Sequence, residues 1–202
     1  MKQTEEKKEN RKKLILKTAR RVFAKHGYFL TTIDMVAKAA DLAKGTTYLY
    51  FKNKEYLFFS LVEDGYNELF SYLINIKNEN VDPLRKIYNM IKLDVEFHGK
   101  NDDLCRLFFS NQAQVVDNFL PKFRQKILEK HMEQIKLVAE IVSEGIKQKK
   151  LKKMDPIQLA IVIIGITHCL NITNCMNISK QKSAESEISF MYDFVLNGCR
   201  KH

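Results

Sequence analysis

Apolar residues recur along this chain with the spacing of a helix face, not with the alternation of a strand. Ile15, Ala19, Val22 and Phe23 line up behind a mixed-charge arm at 2–13, which is expected to fray first and become helical towards its end. Gly27 suits a helix stop. Thr32 is a good N-cap, and Ile33, Val36, Ala37 and Ala40 form a narrow stripe on a short second helix. Asp41 and Leu42 predict a tight turn before a third short helix over roughly 43–50, and Asn53 can cap a fourth from Lys54 to about Ile76.

Helices fill the rest. Asp82-Pro83 and Asp155-Pro156 each place a capping carboxylate before a proline at the first helical position, opening helices to about His98 and over 156–176. GKNDD at 99–103 is expected to break the first of these, and a short helix to follow over about 104–116. Pro121 sits near the start of a long helix that ends in lysines, which complement a carboxyl-end dipole. A last helix spans about 184–200. No strand pattern and no internal repeat is visible, so the predicted fold class is all-α.

Composition agrees: 45% apolar residues allow a substantial core, and only 7 Gly and 3 Pro suit long helices. The charge adds something that periodicity does not. Residues 1–61 hold 14 Lys and Arg against 6 Asp and Glu, a net of +8, whereas the remainder is close to balanced at +2. A polyanion is the expected partner of the first third. Cys105, Cys169, Cys175 and Cys199 show no CxxC spacing and are expected as small apolar residues in a reduced compartment. The longest apolar run, LAIVIIGIT, is flanked too closely by Gln158, His168 and Asn171 to suggest a membrane span, and no secretory signal is visible. A cytoplasmic protein is expected.

Two short helices joined by a tight turn, after a basic amphipathic helix, fit a helix-turn-helix. Its second helix would carry KGTTYLY, residues 44–50. Lys44 can meet a phosphate or a guanine edge, Gly45 admits close backbone approach, and Thr46 can donate to phosphate or pack on thymine. Tyr48 and Tyr50 offer hydroxyls to phosphate oxygens, and Lys54 places an ammonium at a helix start. Phe51 and Leu57 read as core instead. Tyr48 and Tyr56 also fit a core, and the lysines also fit a solvated face. The coincidence of basic charge with the two-helix pattern favours DNA.

The stretch FAKHGYFLTTIDMVAKAADLAKGTTYLYFKNKEYLF, 23–58, resembles the DNA-binding domain of the TetR family of bacterial transcriptional regulators. The resemblance covers about residues 11–60; beyond that it extends only to length and helical layout. It implies a three-helix DNA-binding domain over 1–53, joined to a larger helical effector-binding and dimerisation domain over 54–202. It further implies that Thr32 starts the helix lying on the sugar-phosphate backbone. Lys44, Gly45, Thr46, Tyr48 and Tyr50 fall at DNA-touching positions, and Lys54 at a phosphate-contacting helix start. Ala43 departs from the family where a Ser or Thr often caps the recognition helix, and Asp41 replaces a frequent glycine in the turn. Such regulators are homodimers on palindromic double-stranded operators, usually repressors, released by a small-molecule effector.

Two apolar stripes allow the dimer: Leu159, Ile163, Ile166 and Leu170, then Ile188, Met191, Tyr192 and Val195. The same stripes fit packing inside one subunit. Phe97, Phe108, Gln112, Met132, Ile135, His168 and Asn171 are candidates for a mostly apolar effector pocket, and each also fits plain core. Enzyme readings find no support: HExxH, GxSxG and a Gly-rich phosphate loop are all absent from the sequence. His168-Cys169 with Cys175 is poorly spaced for zinc, so neither metal nor cofactor is expected. The alternative from another class is a helical protein-interaction module with a basic surface and no specific operator.

Overall fold

A computed structural model describes residues 2–100, 121–175, 178 and 183–199. The described residues hold eight α-helices and no β-strand: α1 Lys2–Leu30, α2 Ile33–Ala39, α3 Lys44–Tyr50, α4 Lys54–Asn78, α5 Pro83–Lys100, α6 Pro121–Lys147, α7 Pro156–Cys175 and α8 Ala184–Cys199. The expected helix over 104–116 lies outside the described residues. The N-terminal arm is helical from Lys2, where fraying was expected, and α5 runs through Gly99 and Lys100. The other starts fall where their capping residues predict. Thr32 accepts from Met35 N at 3.2 Å, Asn53 from Tyr56 N at 2.8 Å, Asp82 from Leu84 N at 2.8 Å and Asp155 from Ile157 N at 2.8 Å.

The chain divides into two compact units, one built on residues up to Tyr66, the other on Asn67 to the end of α5 and from Arg124 onward. The first is organised by the end of α1. Gly27 adopts φ 73°, a left-handed value, and the helix breaks there before one more turn. The break folds Tyr28 back onto Phe23, ring centroids 6.0 Å apart, and Phe58 meets both rings edge-on. Ile15, Ala19, Phe23, Val36, Phe51 and Leu57 are buried around this cluster, so the expected stripes do face the core. Asp41 takes φ 54° in the turn between α2 and α3, a backbone region that Asp tolerates.

In the second unit α5 packs against α7 and α8. Ile87, Ile91, Val138, Val142, Ile163 and Met191 fill its interior. Lys86 is buried and satisfied twice, donating to Lys77 O and to Glu144 Oε2, both at 2.8 Å. A buried ammonium without such partners would be costly. Asn174 of α7 donates to the buried carboxylate of Glu187 in α8 at 2.9 Å.

Ala43 has the extended backbone of an N-cap but no side-chain bond to the amides of α3. Ala43→Ser is expected to supply that bond and raise stability by about 1 kcal/mol, measured as a shift in urea midpoint at unchanged m-value.

Candidate nucleic-acid interface

The seven residues of α3 divide by periodicity. Thr47 points inward and is fully buried, and Phe51, one turn on, closes the helix in the core. Lys44, Gly45, Tyr48 and Leu49 share the opposite, exposed face, with Leu49 83% exposed and Tyr48 42%. Thr46 and Tyr50 lie half-buried at its margins. The leucine therefore stands on the same open face as Lys44 and Tyr48. Nothing lies within 4 Å of a Cβ built on Gly45, so the face is open there. Thr32, spent on capping α2, stands at the start of that helix, and a shallow groove between α2 and α3 is lined by Asp34, Lys38, Asp41 and Lys44.

Two of the expected cations are engaged within the chain. Lys44 Nζ lies 2.6 Å from Asp34 Oδ2, and that hydrogen bond and charge raise the lysine pKa. The pair is exposed on both sides, so solvent screens it and it opens at little cost. Lys54, expected at a phosphate, donates within the chain to Tyr28 O at 3.0 Å and Phe29 O at 3.1 Å and sits 4.5 Å from the Tyr28 ring centroid. It caps the carbonyl end of α1, and partial burial lowers its pKa. Lys52, exposed and over the Tyr56 ring, is a cation of this region that the sequence reading passed over.

Five of the expected pocket residues, Phe97, Met132, Ile135, His168 and Asn171, lie among the described residues. Phe108 and Gln112 lie outside the described residues. Met132 is 48% exposed, so it faces away from the interior, whereas Ile135 and Asn171 are buried and Phe97 and His168 half-buried. A cavity of about 10 Å³, lined by Leu69, Leu73, Asp94, Gln134 and Thr167 among others, is the size of one water. Beside Asp94 lies a polar cluster that the sequence reading did not assemble. Asp94 and His98 of α5 stand one turn apart, with His98 Nε2 3.6 Å from Asp94 Oδ1. Asn171 donates to Asp94 Oδ2 at 3.1 Å, and the His168 ring lies 5.7 Å from that of His98 and 5.6 Å from that of His131. Burial by itself would raise the Asp94 pKa, but His98, His168 and Thr167 outweigh it and hold it below the ordinary value. Burial lowers the pKa of His168.

The dimer stripes need correction. Leu159, Ile163, Ile188, Met191 and Val195 are buried inside the chain, Ile166 and Leu170 half-buried, and Tyr192 packs edge-on against Tyr88. The same helices expose a second apolar face: Ile157, Ile161 and Val162 on α7, Phe190 and Phe194 on α8, between 39% and 59% exposed. A stripe at helical spacing marks a buried face, and here that face is spent within the subunit. The span Pro156–Asn174 is long and apolar enough to cross a membrane, but one face lies in the core. Cys169 is exposed.

Residues 15–61 match the family described as bacterial regulatory proteins, tetR family. The HTH-type transcriptional regulator YhgD of Bacillus subtilis is 31% identical over 166 residues, 77% of this chain and 79% of the relative. The fatty acid metabolism regulator protein of the same organism is 28% identical over 146 residues, 72% and 73% of the two chains. Among solved structures, the transcriptional regulator FadR from Bacillus subtilis, in complex with stearoyl-CoA, superposes with a TM-score of 0.76 at 23% identity, covering 92% of this chain and 97% of that one, a likeness of fold.

Tyr28 offers a titration. Burial first, then the charge and hydrogen bond of Glu55, push its phenol from 10 up to about 12. The raised value means stability that is full below pH 10 and lost as pH rises through about 12. Ultraviolet titration is expected to show one late phenol that Tyr28→Phe removes, together with a shallower loss of stability in alkali.

Proposed function

The chain belongs to the TetR family of bacterial regulatory proteins, and on that premise we propose that it is a repressor that binds a palindromic operator as a homodimer and is released by a lipophilic effector. The observation that carries the reading is the exposed face of α3, with Lys44, Gly45, Tyr48 and Leu49 on one side of a helix anchored by Thr47 and Phe51. A face of this composition suits a major groove. Lys44 reaches phosphate or guanine once it leaves Asp34, Tyr48 donates to phosphate, and Leu49 packs on a thymine methyl. Thr46 and Tyr50 serve the edges, and Thr32 sets the start of the helix that rests on the backbone. Lys54 acts as a positioning residue through its hold on the end of α1.

Residues 1–53 serve as the reading head, and 54–202 as the effector and dimer part. The bare apolar faces of α7 and α8 are the surface we assign to the partner copy, because two helices from each subunit would bury them in a four-helix interface. This accounts for a helix as apolar on its outer side as on its inner one. An acyl-CoA thioester is the effector class favoured by the likeness to FadR, which is described with stearoyl-CoA, and by the fatty acid metabolism regulator among the relatives. Release requires that the effector prefer a conformation in which the two heads no longer match the half-site spacing, a coupling of about 1–3 kcal/mol. α4 contributes to both units and is the covalent route for that coupling.

Tyr48→Ala is expected to weaken operator binding about 10-fold, close to 1.4 kcal/mol, in a gel shift, with the dimer intact by sedimentation. Unchanged affinity would overturn the contact assignment. Phe190→Glu combined with Phe194→Glu is expected to give a folded monomer by sedimentation, with operator affinity lost alongside. A dimer of wild-type stability would overturn the interface.

A further inference from the structure

We propose that Asp94, His98 and His168 form a binding site for a divalent transition metal, Zn²⁺ in the first instance, in the interior of the second unit. One donor atom from each side chain lies within 4.8 Å of the other two. Asp94 and His98 stand at i and i+4 on α5, so both present to the same side, and His168 faces them from α7.

The spacing within the triad is close to that of donors around one ion. His98 Nε2 and Asp94 Oδ1 are 3.6 Å apart. The edge of a tetrahedron with Zn–N and Zn–O bonds near 2.0–2.1 Å is about 3.4 Å. The pair therefore already stands near coordinating separation, and the third donor lies within 4.8 Å of both.

The surroundings supply what such a site needs. Asn171 Nδ2 holds the second carboxylate oxygen at 3.1 Å, which turns Oδ1 towards His98. The His131 ring stacks on His168 at 5.6 Å and sets its plane. Oriented ligands of this kind are the usual support of a metal centre. The water-sized cavity beside Asp94 also touches Gln134, whose Oε1 is buried without a hydrogen-bond partner. A metal-bound water there would complete the coordination and donate to that oxygen. Two imidazoles and one carboxylate select Zn²⁺, Co²⁺ or Ni²⁺ over the oxygen-seeking Mg²⁺ and Ca²⁺. The inference is independent of the operator and of the acyl-CoA reading.

The test uses the full chain, stripped with chelator. Titration with Co²⁺ is expected to give visible d–d bands saturating at one ion per chain, which Zn²⁺ then abolishes. His98→Gln and His168→Gln are each expected to weaken Zn²⁺ at least 100-fold against a chromophoric chelator, Asn171→Ala about 10-fold, and the exposed-site control His26→Gln not at all. Should a ligand variant fail to fold, ¹⁵N-histidine NMR of the wild type decides. Zn²⁺ is expected to shift the His98 and His168 nitrogens and to leave His26 in place. Absence of saturable Co²⁺ or Zn²⁺ binding to the folded wild type, or binding that leaves those nitrogens unmoved, would overturn the proposal.

Discussion

The ammonium of Lys54 is the pin of the DNA-binding end. The break at Gly27 leaves the last carbonyls of α1 without helical partners, and an uncapped carbonyl end in a half-buried position is costly. Lys54 meets two of those carbonyls and lies against the Tyr28 ring at the same time. Because Lys54 is also the first residue of α4, the end of one helix and the start of another are fixed by one side chain. Tyr28, Phe23 and Phe58 then pack as a three-ring core beneath it. The short α2 and α3 depend on that frame, since seven residues are too few for a helix to hold itself in water.

This placement changes how α3 is understood. Its inner side is fixed by Thr47 and Phe51, and its outer side, including Tyr48 and Leu49, is left exposed. The acidic partner of Lys44 moderates the charge of the free surface, and a solvated ion pair is a weak lock.

Much of the helical layout was legible because caps and prolines are local signals: Thr32, Asn53, Asp82 and Asp155 each bond the amides that their positions predict. The inward stripe of α1 and the turn at Asp41 were legible for the same reason. The partners of Lys54 were not, since a helix start looks alike in sequence whether its lysine meets a phosphate or carbonyls 25 residues upstream. The dimer stripes failed differently. α7 is apolar all round, and on α8 the periodic residues mark the inner face, so spacing alone could not tell core from interface. The Asp94 cluster spans α5, α6 and α7, and only its i, i+4 pair of Asp94 and His98 left a trace in the sequence.

The exposed face of α3 is proposed to read a particular duplex. Fluorescence anisotropy of the full chain, on DNA from upstream of its own gene and on a shuffled duplex of equal composition, tests it most directly at matched physiological salt. A preference of at least about 10³-fold for the upstream DNA is expected, the lower end for specific regulators. Equal affinities that fall together with rising salt would contradict it and leave only a basic surface.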